Sequence, residues 1–482
     1  MPRSPFQAMP LAEISPKTVK TIFAIAIAVT VTLFVINFAL VGFGVFGDGM
    51  GYYAPLRSLL FDGDLKVFNE YEAFSQTVSR FGGGIRVDLQ KPIPEYSKYT
   101  LGLGLVLSPF FGLGHLVALI LQGLGLNVAT NGLSWPYELF YCLGSISFAI
   151  LGFILIYLTL RQWFSAWASL LAVIGVWFAS ALTFYITIES SMSHAVSMGL
   201  ISSLFYLCLT THWLKQTKIQ ILIGLVLGLA TLVRPQDILF AIVPLLILAV
   251  ERSQQLSKTA QLKTPAQKFF AGLKFQTHEL AALAWIGLGI ILLIIPQILV
   301  YFWQFGGLLN IPYFQEGTAE GQGGSFNGLQ PEIWNVLFSG FHGLFSWHPL
   351  LFVAIIGIIQ LTFKKPALGW ILLVPFLLQV YLVASWWCWW QGSSFGGRMF
   401  ASCSFIFAFG LAALWDQLAS DRQRAWAIGI TGFFIVWNGL LILQYKTALI
   451  PSEADVPMTQ IVLNQGKVIP FFIEHILGRL HR

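Results

Sequence analysis

Asp48 lies in the stretch GDGMGYY (47–53), directly after the first long apolar run, with glycines on both sides. Glycine lets a ligand or another backbone approach closely. A carboxylate in such a setting can take the proton of a hydroxyl that is being made into a nucleophile. The alternative is an Asp that caps the helix following it. Lys98, in EYSKYTLG (95–102), precedes a second apolar run and suits either a lipid phosphate or a snorkelling position at a membrane surface. Glu189 and His194 share TIESSMSHAVS (187–197). His194 can hold substrate, relay a proton or serve as a hydrogen-bonded structural residue. Arg234 and Asp237 stand in LVRPQDI (232–238), where a guanidinium between two apolar runs needs an anionic partner, either Asp237 itself or a phosphate. Arg398 ends the Trp- and Gly-rich stretch SWWCWWQGSSFGGRMF (385–400). Tryptophan faces stack on sugar rings, and an Arg beside glycine-rich backbone can meet phosphate or carboxylate; an aromatic belt at a membrane boundary has the same composition.

These groups stand out because charge is scarce. The chain has 482 residues, 56% of them hydrophobic and only 10% charged. A soluble domain carries about 25% charged residues, so the composition excludes both a soluble fold and a disordered chain. It indicates an all-α polytopic membrane protein. Spanning-length apolar runs occur near 20–46, 138–160, 166–187, 194–213, 219–234, 237–250, 280–305, 342–363, 367–386, 399–415 and 425–445. The first is too long for a cleavable signal segment. A further run, 101–126, contains Pro109 and many glycines and suits a broken or interfacial helix better than a plain span.

Basic residues decide the orientation. With the N-terminus in the cytoplasm and 101–126 not crossing, the downstream inner loops hold twelve bases and the outer segments six. The positive-inside rule therefore selects about 11 spans, N-terminus in and C-terminus out. The expected layout is a cytoplasmic segment 1–19 and a membrane domain 20–445, followed by a short outer tail 446–482. Within the domain lie a first outer loop 47–137 with surface helices, a basic inner loop 251–279 and an acidic outer loop 306–341. All the candidate groups then fall on the outer face. Cys142, Cys208, Cys388 and Cys403 show no metal-ligand spacing, and no N-x-Ser/Thr sequon occurs, which favours a bacterial membrane over a secretory-pathway one. Without a GxxxxGK[ST] or strand-borne GxGxxG segment, no site for a nucleotide is expected, and nothing points to nucleic acid.

The arrangement resembles the GT-C membrane glycosyltransferases, which include protein O-mannosyltransferases, oligosaccharyltransferase catalytic subunits and lipid A aminoarabinose transferases. The likeness lies in the Asp closing the first span, the long first outer loop and about eleven spans. GDGMGYY (47–53) followed by NEYE (69–72), KYTLGLGLVLSPF (98–110), LVRPQ (232–236), HGLFSWHPLL (342–351) and W…GSSFGGR are similar to segments of bacterial members. The WWDxG-type stretch of oligosaccharyltransferases is missing, so peptide N-glycosylation is not implied. What the resemblance implies is a transferase moving a sugar from a polyprenyl-phosphate carrier to a glycan, lipid or protein on the outer face. Asp48 would be catalytic. Lys98, Arg234 and Arg398 would face the carrier phosphate, and Glu70, Glu72, His194 and Tyr53 would line the cavity. Some members use a divalent metal, a point these residues leave open. A flippase for a lipid-linked sugar, or a non-catalytic envelope-assembly protein, are the competing expectations.

Overall fold

The computed structural model describes residues 14–79, 86–87, 93–259, 274–307, 310, 315–316 and 324–480. Lys263 and Lys268 of the basic loop, Glu320 of the acidic loop and the bases at positions 3 and 482 lie outside them. The described chain is helical, with only the isolated bridges Lys66–Tyr96 and Phe326–Trp386 among those residues. Seven helices are long and apolar enough to cross a membrane, and four shorter apolar ones accompany them. The protein is an integral membrane protein, and each of the eleven expected runs carries a helix.

Six of the seven long helices are α1 (Pro16–Val41), α4 (Gly102–Gly123), α5 (Trp135–Leu160), α11 (Thr277–Phe305), α15 (Pro366–Ser385) and α17 (Asp421–Lys446), and the seventh is the stretch Arg398–Trp415. Between them run α2 (Asp48–Phe61), α3 (Phe68–Ser75), α8 (His194–Thr210), α9 (Thr217–Val233), α10 (Ile242–Thr259), the short α12 (Ile333–Phe338) and α13 (Leu344–Trp347), and α14 (Pro349–Lys364). Two expected spans are interrupted. Run 166–187 divides into α6 (Ala166–Phe178) and α7 (Leu182–Thr187), and run 399–415 is a 3-10 turn, Arg398–Cys403, leading into α16 (Ser404–Trp415). A break inside a membrane domain needs its backbone groups satisfied. At the first break the Asn438 amide, from α17, donates to the carbonyls of Phe178 and Ser180, both at 2.9 Å. The tail carries an amphipathic helix, α18 (Met458–Leu480), tied to α17 where the Gln444 amide donates to the Ile461 carbonyl at 3.2 Å.

Of the broken or interfacial helix expected over 101–126, the broken form is corrected, since α4 runs unbroken through Pro109. The ring nitrogen of Pro109 has no hydrogen for the Leu105 carbonyl. The Ser108 hydroxyl donates to that carbonyl instead, at 2.8 Å. The start of α4 and the loop that follows it both meet α2. Near its start Gly104 lies against Tyr52 and Leu56. After its end, the Asn131 and Gly132 carbonyls accept from Arg57 Nε at 2.9 Å and from the Tyr53 hydroxyl at 2.6 Å. Helix α4 thus starts against α2, and the loop that follows it comes back to α2.

At the first residue of α4 a Cβ would stand 2.3 Å from the Leu232 carbonyl carbon at the end of α9. Gly102→Ala is therefore expected to push α4 from α9 and to destabilise the protein by about 1–3 kcal/mol, read as a lowered unfolding temperature. An unchanged melting curve would show that this contact yields freely.

Candidate active site

Asp48 opens α2, and Gly47, not Asp48, is the residue capping that helix. The carboxylate points away from the helix backbone. Its Oδ2 accepts from Arg398 Nη1 at 2.9 Å, a contact between residues 350 positions apart. Tyr99 also hydrogen-bonds to it, and Lys98 adds a nearby positive charge. Burial raises the Asp48 pKa, but Arg398, Tyr99 and Lys98 together outweigh it and hold the carboxyl below its ordinary value. The Asp48 side chain keeps 37% of its surface exposed while that of Arg398 keeps 10%. The anion is therefore open to an incoming group, and its cation is fixed from behind.

Local chemistry explains how these groups meet. Pro55 cannot bond the Gly51 carbonyl one turn back. The Ser97 hydroxyl donates to that carbonyl at 2.6 Å and accepts from the Tyr99 N–H at 3.2 Å. The proline inside α2 thus creates the attachment point for the segment bearing Lys98 and Tyr99. The rings of Tyr52 and Tyr99 lie 4.4 Å apart, and Lys98 reaches Glu316 at 2.6 Å. On the other flank the turn before α8 presses on the glycines around Asp48. A Cβ at Gly49 would meet Ser191 Oγ at 2.1 Å.

Arg234 follows α9 directly. Its Nη1 contacts His194 Nδ1, and its Nη2 donates to Gln236 Oε1 at 3.0 Å and to Met399 Sδ at 2.6 Å. Met399 is the neighbour of Arg398, and the charges of both arginines are felt at His194 and Tyr52. Arg234 and Asp237 do not form an ion pair. Asp237 instead accepts from the Ser197 hydroxyl at 2.5 Å.

The structure therefore gathers Asp48, Lys98, Arg234, Arg398 and His194 into one site on one side of the bundle. It places Tyr53, Glu70 and Glu72 elsewhere. Tyr53 is fully buried behind α2 with its ring against Tyr141 and Phe111. Glu70 is buried against Arg57 Nη1 at 3.0 Å, locking α3 to α2, and Glu72 points outward. Tyr52 occupies the site in place of Tyr53. Helical spacing identifies it, because Tyr52 stands four residues after Asp48 and shares its face, whereas Tyr53 does not.

Glu189, in the turn between α7 and α8, is half-buried and faces Arg398, Asp48 and Lys446. Burial, partly offset by Arg398, raises its pKa to about 7. A folded value above the unfolded one means stability that is complete below the ordinary Glu value of 4.5 and is lost as pH rises from there to about 7. Glu189→Gln is expected to remove that dependence. The variant should match the wild type below pH 4.5 and melt at a higher temperature than it in mild alkali. Parallel melting-temperature profiles would contradict this.

Among the described residues no three His, Cys, Asp or Glu gather as a metal-binding group. Asp48 is flanked by an arginine, a lysine and a tyrosine, a set that suits an anion rather than a cation.

No protein-family profile matches the chain, and no curated protein does. Its fold does match solved structures. ArnT from Cupriavidus metallidurans bound to undecaprenyl phosphate superposes with a TM-score of 0.51 at 13% identity, over 96% of this chain and 79% of ArnT. The Archaeoglobus fulgidus oligosaccharyltransferase in complex with zinc and sulfate gives 0.47 at 15%, over 89% of this chain and 55% of the other. The overall architecture, with its first-loop helices packed beside the Asp48 side of the bundle, is of the GT-C kind.

Proposed function

We propose that this GT-C-fold chain is a membrane glycosyltransferase acting at Asp48 on a sugar carried by a polyprenyl phosphate. The carrying observation is the site itself, an accessible carboxylate backed by Arg398, with Lys98 and Arg234 alongside. Helix α4 supports a lipid-borne donor. It starts beside Arg234 and turns Leu105, Leu113, Leu116, Leu119 and Ile120 outward, an apolar wall on which a polyprenyl chain can lie.

In the reaction an acceptor hydroxyl attacks the anomeric carbon. A new carbon–oxygen bond forms as the bond to phosphate breaks. Asp48 takes the hydroxyl proton, and the leaving phosphate keeps the bonding electrons. Its added negative charge is met by fixed cations that need no rearrangement. Arg398 links the two events. While it pairs with Asp48 the carboxylate is a weak base. A phosphate that draws on the same guanidinium loosens the pair and makes Asp48 more basic when the donor is in place. The resemblance to bacterial GT-C enzymes favours the inner membrane, with this site on the outer face.

The test is transfer of labelled sugar from a panel of polyprenyl-phosphate hexoses and pentoses to membrane glycans, lipids and proteins, comparing wild type with Asp48→Asn. Covalent transfer lost in the variant supports the reading. Transfer kept in the variant, or lipid movement across vesicles with no covalent product, overturns it.

A further inference from the structure

The strand of chain that delivers Asp48 is itself anchored. Helix α1 closes at Gly42, whose φ of 92° lies in the left-handed region, and the backbone then runs to Asp48 through Gly47 at φ 57°. Midway, the N–H groups of Gly44 and Val45 donate to one oxygen, Glu138 Oε2, at 2.8 and 2.9 Å. Arg86 Nη2 donates to the same oxygen at 2.5 Å. The side chains of Arg86 and Glu138 are 1% and 3% exposed. The guanidinium of Arg86 also lies 3.8 Å from the centroid of Phe43, in the same strand. Glu138 stands in the first turn of α5, where the helix dipole favours an anion. The backbone before Asp48 thus wraps an anion supplied by the protein itself.

We propose that Glu138 is a positioning residue for Asp48, its carboxylate fixing where the catalytic carboxylate meets Arg398 and the acceptor. This rests on the reading of Asp48 given above. Gly47, between the anchor and Asp48, is a ready pivot. Without the anchor, two amides lose their acceptor and the strand is released just ahead of the reacting group. A displacement of about 1 Å at a reacting group costs about 100-fold in rate.

Removing Glu138 alone would strand a buried guanidinium, so the informative variants change both members. Arg86→Leu/Glu138→Leu removes charge and acceptor together. Arg86→Gln/Glu138→Gln removes the charge but leaves an amide oxygen for Gly44 and Val45. With whichever polyprenyl-phosphate sugar the panel finds active, the Leu pair is expected to lose about 10- to 100-fold in kcat with donor KM little changed. The Gln pair should stay close to wild type.

A second readout separates positioning from general loosening. Asp48 faces Arg398, Tyr99, Lys98, Tyr52, Tyr71 and Glu189. If its contact with Arg398 slackens, the acid limb of kcat moves to higher pH in the Leu pair. Phe205→Leu, distant on α8, should lower the melting temperature without moving that limb.

A folded Leu pair with wild-type kcat overturns the proposal, as do equal losses in both pairs with an unmoved acid limb. If the Leu pair does not fold, Glu138→Asp withdraws the oxygen by one methylene while keeping the charge. Wild-type kcat there is equally decisive against the anchor. Transfer surviving in Asp48→Asn would remove the reading on which this rests. An inactive Asp48→Asn beside a fully active Leu pair would remove the anchor alone.

Discussion

Asp48→Asn is expected to lower transfer by about 10²- to 10⁴-fold, the range for loss of a positioned general base. The loss should fall on kcat, because in the proposed reaction Asp48 meets the acceptor proton and not the carrier phosphate, leaving donor KM nearly unchanged. Asparagine has the shape of aspartate, and its oxygen can still accept from Arg398 Nη1, so the strand and α2 should keep their places. The pH dependence has a definite sign. Burial pushes the Asp48 carboxyl up, and Arg398, Tyr99 and Lys98 push it further down, so its net pKa lies below the ordinary value. In the free enzyme Asp48 is therefore ionised through the neutral range, and kcat/KM should fall only when pH drops below the usual carboxylate range. Asp48→Glu keeps the charge but reaches one methylene further, so an intermediate activity is expected. Transfer, expression and melting temperature measured on the same preparations separate a chemical defect from a folding one.

Much of this site can be read from the chain because charge is so dilute. In a sequence with 10% charged residues, each Asp, Lys or Arg near the end of an apolar run stands out, and Asp48, Lys98, Arg234 and Arg398 do converge. What composition cannot convey is direction around a helix. Tyr53 was expected at the site, yet its side chain turns behind α2, while Tyr52 shares the face of Asp48. The NEYE pair falls for a related reason, with Glu70 committed to Arg57 across two surface helices. Segment 101–126 shows a different limit. Proline and glycine signal a break only while the freed carbonyl lacks a donor, and Ser108 supplies one from the adjacent position. Glu138 gave no signal at all. A Glu in the first turn of a spanning helix looks like an ordinary interfacial acid until the fold brings the amides of Gly44 and Val45 onto it.

Arg398→Gln is expected to cost about 10²- to 10³-fold in kcat/KM, the scale for losing a fixed group that stabilises transition-state charge. The two site arginines differ in what their neighbours leave free. Nη1 and Nη2 of Arg234 are both engaged, by His194, Gln236 and Met399. Arg398 uses Nη1 on Asp48, while its buried Nε has no hydrogen-bond partner. A buried donor without an acceptor is costly in the free protein, and that cost is recovered when a ligand oxygen arrives. On the proposed function, Arg398 is therefore favoured over Arg234 for the phosphate, and it pairs with Asp48 at the same time. Arg398→Lys keeps the charge but not the planar fork, so it should recover only part of the loss. Arg234→Gln should weaken donor binding with a smaller effect on kcat, since Arg234 braces the site through contacts already made. The thermal shift produced by undecaprenyl phosphate should follow the same order, largest in wild type and smallest in Arg398→Gln. If Arg234→Gln abolishes that shift while Arg398→Gln retains it, the phosphate belongs to Arg234 and the coupling of donor binding to Asp48 basicity fails with it.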